Sequence, residues 1–468
     1  MKKRFIVLLV ILPFLLGAQT GTGCWRMVSS GNNFTLAIKN DGTLWGWGLN
    51  GNRLGLGYFS ATENLPIQVG NANDWLVVSS GENHALALKT NGTLWSWGNG
   101  QFGQLGNGVF NSATFTVTQV GTANDWVAIA AGTGFSLALK NNGTLWSWGL
   151  NSTGQLGQNN TTNLNLPTQV GIATDWLKIE AGDQHALALK TNNSLWSWGN
   201  NTTGQLGDGS FNTSLIPIPI ASALTFIEIS AGFDHSMAIE SGLTLYTWGN
   251  NTNGQLGDGT NTTSNVPIPI SFSLDGLPSS CIAISAGQTH SLIIRNNATL
   301  WSAGFNNQGQ LAQGNLTNLN TFIQVGSGTN WTQISAGFVH SHAMDSSADL
   351  WSAGRGIEGE MGIATNVNSS NLVNVACPTS LDNSDFQSHQ GYKITPNPAH
   401  HFLKLQGDVT QIQALKLYTL TGQLILESVN LPIQETELNF PLPDIAAGSY
   451  ILHIITPSKT YQKKIILE

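Results

Sequence analysis

The 468-residue sequence predicts an all-β protein, a seven-bladed β-propeller followed by a small β-sandwich. Three observations carry that prediction. A glycine-led phrase returns seven times, with its leading glycine at Gly31, Gly81, Gly132, Gly182, Gly232, Gly287 and Gly337, at intervals of 50, 51, 50, 50, 55 and 50 residues. Each copy holds about four short runs of period-two alternation and no helical period, the signature of a stacked β unit that cannot bury its own faces alone. Beyond residue 378 the repeat stops, and a different alternating pattern with Gly and Pro turns takes over.

The elements follow in chain order. The opening "MKKRFIVLLVILPFLLGAQT" sets Lys2, Lys3 and Arg4 before an apolar run at 5–16 and then small residues, the anatomy of a secretory signal peptide over 1–18 with cleavage before Gln19. A run of twelve is too short for a membrane span, which takes about 20 residues. An exported chain with no transmembrane segment after cleavage is expected.

The propeller is expected over 19–378. In the second copy "DWLVVSS" at 74–80 reads as a strand, Ala85 to Leu88 as another, Asn91-Gly92 as a tight turn and "TLWSW" at 93–97 as a third strand. The "LPIQVG" run at 65–70 supplies a short fourth.

All 16 Trp fall inside the repeats, in three recurring slots. One slot, six residues before the leading glycine, holds Trp25, Trp75, Trp126, Trp176, Phe226, Cys281 and Trp331, and the others are the two positions of "WSWG". Large side chains repeated in every unit point to packing between blades rather than to a sugar-binding platform. Five histidines share the slot three after the glycine, His84, His185, His235, His290 and His340, with Phe34 and Phe135 in the remaining copies. That exchange reads as a buried flat ring, not a metal site.

"GNGQFG" at 98–103 and "GRGIEG" at 354–359 fit the dinucleotide-loop pattern, but five siblings place Asn50, Asn151, Asn201, Asn251 and Asn306 at the second glycine. With no helix following, the slot is expected to be a left-handed turn position. No cofactor is expected, and no metal; Asp208-Gly209 and Asp258-Gly259 read as turns rather than calcium loops.

A Val stands six residues before the Trp slot in regular copies, and nothing fills that place ahead of Trp25. The run "NLVNVAC" at 371–377 matches it, so the C-terminal strand is expected to complete blade one. This alignment brings Cys24 and Cys377 about three residues apart in one loop, which predicts a disulfide between them. Cys281, in a Trp slot, is expected to stay a buried free thiol.

The spaced words "SAGxxHSxAL", "GTLWSWGxN" and "GQLGxG" resemble the RCC1 (regulator of chromosome condensation) repeat over about residues 25–377. The resemblance implies a seven-bladed propeller whose relatives bind proteins. Departures are "NGNRLGLG" in blade one, Tyr246 for the first Trp of blade five, and Ala303 and Ala353 for the second Trp of blades six and seven.

After a polar linker at 379–391, residues 392–468 resemble the type A C-terminal sorting domain of type IX secretion. The matching words are "YKITPNPA", "LYTLTGQLI", "AAGSYIL" and the terminal "KKIIL". On that resemblance Pro396, Asn397, Pro398, Gly422, Gly448, Lys463 and Lys464 carry the sorting signal, the secretion machinery is one partner, and the mature protein reaches the cell surface or the medium.

Composition narrows the function. Charged residues are only 9% of the chain and the net charge is −8, so there is no basic stripe for nucleic acid. Acids are too scattered for an evident catalytic pair, and a non-enzymatic binding module with an unknown extracellular protein partner is expected; a glycan-binding or glycan-degrading enzyme at the propeller mouth is the alternative. Function should sit where the repeats disagree, in the pair between the leading glycine and the His slot. Those candidates are Asn32, Asn33, Glu82, Asn83, Asp183, Gln184, Phe233, Asp234, Gln288, Thr289, Phe338 and Val339.

Overall fold

Alternation and turn chemistry resolve into seven four-stranded antiparallel sheets, at 25–68, 75–119, 126–169, 176–220, 226–269, 281–324 and 331–375. In the computed structural model the described residues are 23–272, 280–378, 392–395, 402–407, 409–419, 424–429, 437–442, 445, 448–457 and 460–467. The expected signal peptide and linker lie outside them. The chain divides into two units, Met1–Cys377 and Pro378–Glu468.

Blade two shows the local logic. Its strands Trp75–Ser80, His84–Lys89, Leu94–Gly100 and Ser112–Gln119 pair in sequence order. Gly92 holds the hairpin turn at a φ of 78°, and Asn91 Oδ1 accepts from the Thr93 N–H at 3.1 Å and its hydroxyl at 2.7 Å. That hydroxyl in turn accepts from Trp95 Nε1 at 2.9 Å, so the turn also orients an indole. The fourth strand lies at the edge of its sheet, where Pro66, Pro167, Pro217 and Pro267 discourage pairing with another chain.

The core is divided among the joints. Seven apolar clusters of the described residues each join two neighbouring blades, the last linking blade seven to blade one through Met344, Leu350, Val375, Trp25 and Trp47. The repeated tryptophans are therefore inter-blade packing. Trp47, Trp97, Trp148, Trp198 and Trp248 are fully buried. In blades two to four the other two indoles meet edge to face beneath a lysine, as Lys89 sits 4.8 Å from Trp75 and 4.9 Å from Trp95 while pairing with Asp74 at 2.9 Å.

The histidine slot carries a second, polar joint. His84 Nε2 meets the Ser136 hydroxyl of the next blade at 2.9 Å, and that hydroxyl donates to the Gln104 carbonyl, also at 2.9 Å. Since the hydroxyl proton is committed to the carbonyl, Nε2 must be the donor, which fixes the neutral tautomer. The pattern repeats at His185 with Ser236, His235 with Ser291, His290 with Ser341 and His340 with Thr35. The two phenylalanines are not free substitutions. The positions facing Phe34 and Phe135 in the following blades are Ala85 and Ala186, where no hydroxyl waits for a donor.

A similar exchange marks the second Trp slot. Its indole packs against a glycine of the preceding loop, as Trp148 does on Gly106, where an added Cβ would come within 2.9 Å of Nε1. Blade seven has Ala353 in place of that indole, and there the glycine of the preceding loop is replaced by Ala312. In blade six Phe322 fills the space left by Ala303, against Gly257.

Two expectations are corrected. The strand Ser369–Val375 pairs with Leu350–Gly354 of its own blade, and blade one has its own fourth strand, Thr62–Gln68. The run preceding each Trp finishes the blade before it, since the Val69 N–H donates to the Leu44 carbonyl at 2.8 Å. Ring closure therefore rests on contacts between blades seven and one. Gly23 and Trp25 donate to Ser347 and Ala348, and Cys24 is joined to Cys377 across a sequence separation of 353. Cys281 is a buried free thiol.

The asparagine slot is the second correction, because Asn50, Asn151, Asn201, Asn251 and Asn306 do not lie at positive φ. They are buried clamps. Asn151 Nδ2 donates to the Asn160 and Thr162 carbonyls at 2.9 and 3.1 Å, while its Oδ1 accepts from the Leu156 N–H at 3.0 Å. Asp208 and Asp258 belong to the same loops, each accepting from the clamp asparagine at 3.0 Å.

The C-terminal unit is a two-sheet sandwich. Tyr392–Thr395, Phe402–Gly407 and Glu437–Pro441 form one sheet, and Leu424–Val429, Ala414–Thr419, Gly448–Ile455 and Thr460–Leu467 the other. Leu403, Leu405, Phe440, Leu415, Leu417, Leu452, Ile454 and Ile465 form its core.

The pairing of ring and hydroxyl can be tested by exchange. Phe135→His alone should destabilise the propeller by about 1–3 kcal/mol, because the new Nε2–H would face Ala186 unpaired. Adding Ala186→Ser should recover most of that loss, and a double-mutant cycle in denaturant measures the coupling.

Candidate functional site

Where seven first strands converge, they must pass close to one axis, and the leading glycines make that possible. A Cβ on Gly132 would come within 2.6 Å of the Gly182 carbonyl, and one on Gly232 within 2.5 Å of the Gly287 carbonyl. Residues after these glycines tie the ring together: Asn32 N–H donates to Gly81, Phe233 to Gly287, Gln288 to Gly337 and Phe338 back to Gly31, at 3.2–3.3 Å. The enclosed space is a central channel of about 210 Å³, lined by Ser, Ala and Gly of the strand ends and by the residue following each glycine.

Six of the twelve candidate residues line this channel, namely Asn32, Glu82, Asp183, Phe233, Gln288 and Phe338. Thr133 completes the ring in blade three. The other six do not line it. Asn33, Asn83, Gln184, Asp234, Thr289 and Val339 offer backbone carbonyls to the residue that follows the third strand's glycine, as Asn83 does to the Asn99 N–H at 2.8 Å. Val339 is buried, Asn33 Oδ1 accepts from Arg355 at 2.6 Å, and Asn83 Oδ1 accepts from Arg53.

The mouth is chemically two-sided. Phe233 and Phe338, contributed by blades five and seven, meet edge to face at 6.5 Å with their planes 84° apart. Blades two and four contribute Glu82 and Asp183. Burial pushes the Asp183 carboxyl up to about 6, with Asp234 and Glu82 adding to the rise against a hydrogen bond from Thr133. Burial also raises Asp234.

A residue outside the variable pairs lies deeper. Glu180 lines the channel in a column otherwise filled by Ser29, Ser79, Ala130, Ser230, Ser285 and Ser335. Burial, with Glu228 nearby and Lys178 opposing, pushes its carboxyl up to about 8. The signal was present in the sequence, since a single acid interrupts a serine column.

The sorting residues sit in the other unit. Gly448 begins a strand whose backbone pairs with Leu467, and Lys463 and Lys464 pair with Leu452 and Ile451. Pro396, Asn397, Pro398 and Gly422 lie outside the described residues.

Comparison with known proteins fits this geometry. A family model described as the RCC1-like domain matches residues 13–280, one for the regulator of chromosome condensation (RCC1) repeat matches 281–310, and one for a secretion system C-terminal sorting domain matches 393–468. No curated protein matches the chain. Among solved structures it is similar to human WBSCR16, at 20% identity and a TM-score of 0.66 over 72% of this chain and 94% of that one. It is also similar to yeast RCC1 (Prp20) bound to Kap60, at 20% identity and a TM-score of 0.63 over 78% and 87%. Prp20p from Saccharomyces cerevisiae, a structure described with its binding to Gsp1p and histones, matches at 20% and 0.63 over 80% and 89%. Identities at this level establish the shared fold.

Stability should follow the buried imidazoles. Burial holds His84, His185, His290 and His342 down to about 3 and His235 to about 4, and His340 lies well below its ordinary value. All six are neutral when folded, while the unfolded chain takes up protons below about 6.5, so stability is lost as pH falls from there toward 4. Glu180 and Asp183 act in the opposite sense, because a raised carboxyl favours unfolding once the unfolded acid ionises. The melting temperature should climb from pH 4 to about 6.5 and then level or decline slightly toward 8; Glu180→Ser should remove that decline.

Proposed function

Because the chain belongs to the RCC1-like domain family, whose model spans more than half of it, we propose that it is an exported propeller that binds a partner protein at one mouth of its channel. The observation that carries this reading is the contrast at the mouth. Apart from Glu180, the strand ends framing the ring are Ser, Ala or Gly in every blade, whereas the ring itself reads Asn32, Glu82, Thr133, Asp183, Phe233, Gln288 and Phe338. A rigid frame presenting seven side chains of six residue types suits selective recognition.

The C-terminal unit is a secretion-system sorting domain, and it supplies the route. In this reading a signal peptide at 1–18 takes the chain across the inner membrane, the sorting domain engages the type IX machinery, and the propeller ends on the cell surface or in the medium. Solved propellers of the same fold support the binding role by their own partners, since yeast Prp20 was captured with Kap60 and studied with Gsp1p and histones. The raised carboxyls of Asp183 and Glu180 are what a glycan-cleaving reading would draw on.

Affinity capture from extracellular proteins and glycans, with the intact exported chain as bait, tests the proposal. Replacing Glu82, Asp183, Phe233 and Phe338 together by Ala should weaken capture of a protein partner by at least about tenfold, with the melting temperature little changed. Undiminished capture would place recognition elsewhere on the propeller, and turnover of a glycan would favour the enzyme.

A further inference from the structure

The channel holds a carboxyl that the fold does not use. Elsewhere in its column the side chain ties neighbouring blades together, as Ser29 Oγ accepts the Ser80 N–H, Ser79 Oγ the Ala131 N–H and Ser335 Oγ the Ser30 N–H, at 2.9–3.0 Å. Glu180 makes no such tie and has no hydrogen-bond partner among the described residues, although it is walled in by the ring, with its remaining accessibility opening onto the lumen. The charges around it are already committed or repulsive. Lys178 is paired with Glu228 at 2.7 Å, and Arg53, outside the channel lining, lies near Glu82 and Glu358 and donates to Asn83. A half-buried carboxyl that has lost part of its hydration and gained no protein partner is disfavoured in its ionised form, and a cation entering the lumen would offset that.

The route to Glu180 has matching chemistry. Asp183 and Glu82 stand at the entrance together with the edge-to-face Phe233–Phe338 pair, and an aromatic face carries the negative side of a quadrupole. The lumen, about 210 Å³ and walled by small side chains, has room for one extended side chain rather than for a folded loop. We propose that the mouth receives a single cationic side chain, a lysine or arginine projecting from the protein partner, which passes between Asp183 and the phenylalanine pair and directs its charge at Glu180. This inference rests on the reading of the mouth as a protein-binding surface.

Titration of the intact mature protein with a capped Gly-Lys-Gly peptide, its arginine and norleucine counterparts, and capped lysine alone provides the test. The lysine or arginine peptide should bind at least about tenfold more tightly than the norleucine peptide, a gap of about 1.4 kcal/mol. Its affinity should rise from pH 5 to 9, because the cation binds the ionised carboxyls, Asp183 giving up its proton near 6 and Glu180 near 8. Glu180→Ser, a variant five sibling blades already tolerate, should weaken the cationic peptide by about tenfold and abolish the upper part of that pH dependence, and Asp183→Asn the lower part.

Equal binding of lysine and norleucine peptides would overturn the proposal, as would an affinity and pH profile unmoved by either variant. Capped lysine binding as tightly as the peptide would replace the partner's side chain by a free small cation. If a captured protein partner is lost on Phe233→Ala and Phe338→Ala but not on Glu180→Ser, the cation site falls while the protein-binding reading stands.

Discussion

The propeller depends on one kind of joint, in which a loop carbonyl of one blade receives donors from the next. The Gln104 carbonyl takes both the Ser136 hydroxyl and Trp148 Nε1, at 2.9 and 2.8 Å. Where the hydroxyl is lost, the indole remains, as Trp198 donates to the Gln155 carbonyl at 2.9 Å beside Ala186. Where the indole is lost, the hydroxyl remains, as Ser341 donates to the Gln310 carbonyl at 2.7 Å beside Ala353. Every one of the seven joints keeps at least one donor, in keeping with the cost of an unpaired carbonyl in a dry interface. The histidine above the hydroxyl is the optional third member, present only where there is a hydroxyl to accept its proton.

This division of labour frees the axis. Buried rings, hydroxyls and indoles hold the blades, the leading glycines let them approach, and the residue after the glycine contributes only a backbone N–H to the next blade in six of the seven blades. Its side chain is unconstrained by the joint. That is why an acid, an amide, a hydroxyl or a phenylalanine can occupy equivalent places without altering the frame, and why the chemical identity of the mouth can change independently of the fold.

Much of this was legible in the sequence, for definite reasons. Blade number, hairpin turns and the packing role of the tryptophans follow from periodicity, which a repeat displays seven times over. The ownership of the fourth strand was not legible, because a tandem repeat can be cut at any point and the Val-to-Trp spacing is the same under either cut. Only the register of Trp45 with Gln68 decides it. The asparagine slot misled because Asn serves both left-handed turns and side-chain clamps, and the alternation with Gly100 and Gly356 favoured the former. Phe135 and Ala186 lie in different repeats, so their correlation is invisible when each column is read alone. Glu180 was missed for the opposite reason: it departs from its column outside the pair chosen as variable.

The joint between blades seven and one must do more than its siblings, because no peptide linker brings its halves together. Its chemistry is correspondingly altered. Thr35 replaces serine, Glu360 replaces the loop glutamine, and His342 stands where the other blades carry leucine or methionine. His342 Nδ1 meets the Ser30 hydroxyl at 3.0 Å, its ring lies 5.3 Å from His340 and 5.8 Å from Trp47, and the Glu360 carbonyl receives Thr35 and Trp47 at 3.1 and 2.9 Å. Arg355 reaches both Glu358 and Asn33, linking the last loop to the first. The disulfide then supplies the covalent link that sequence continuity supplies elsewhere. A ring closed this way keeps every blade an uninterrupted stretch of chain, so each four-stranded sheet can form locally and the long-range closure can follow, which lowers the loop-entropy cost of the early steps.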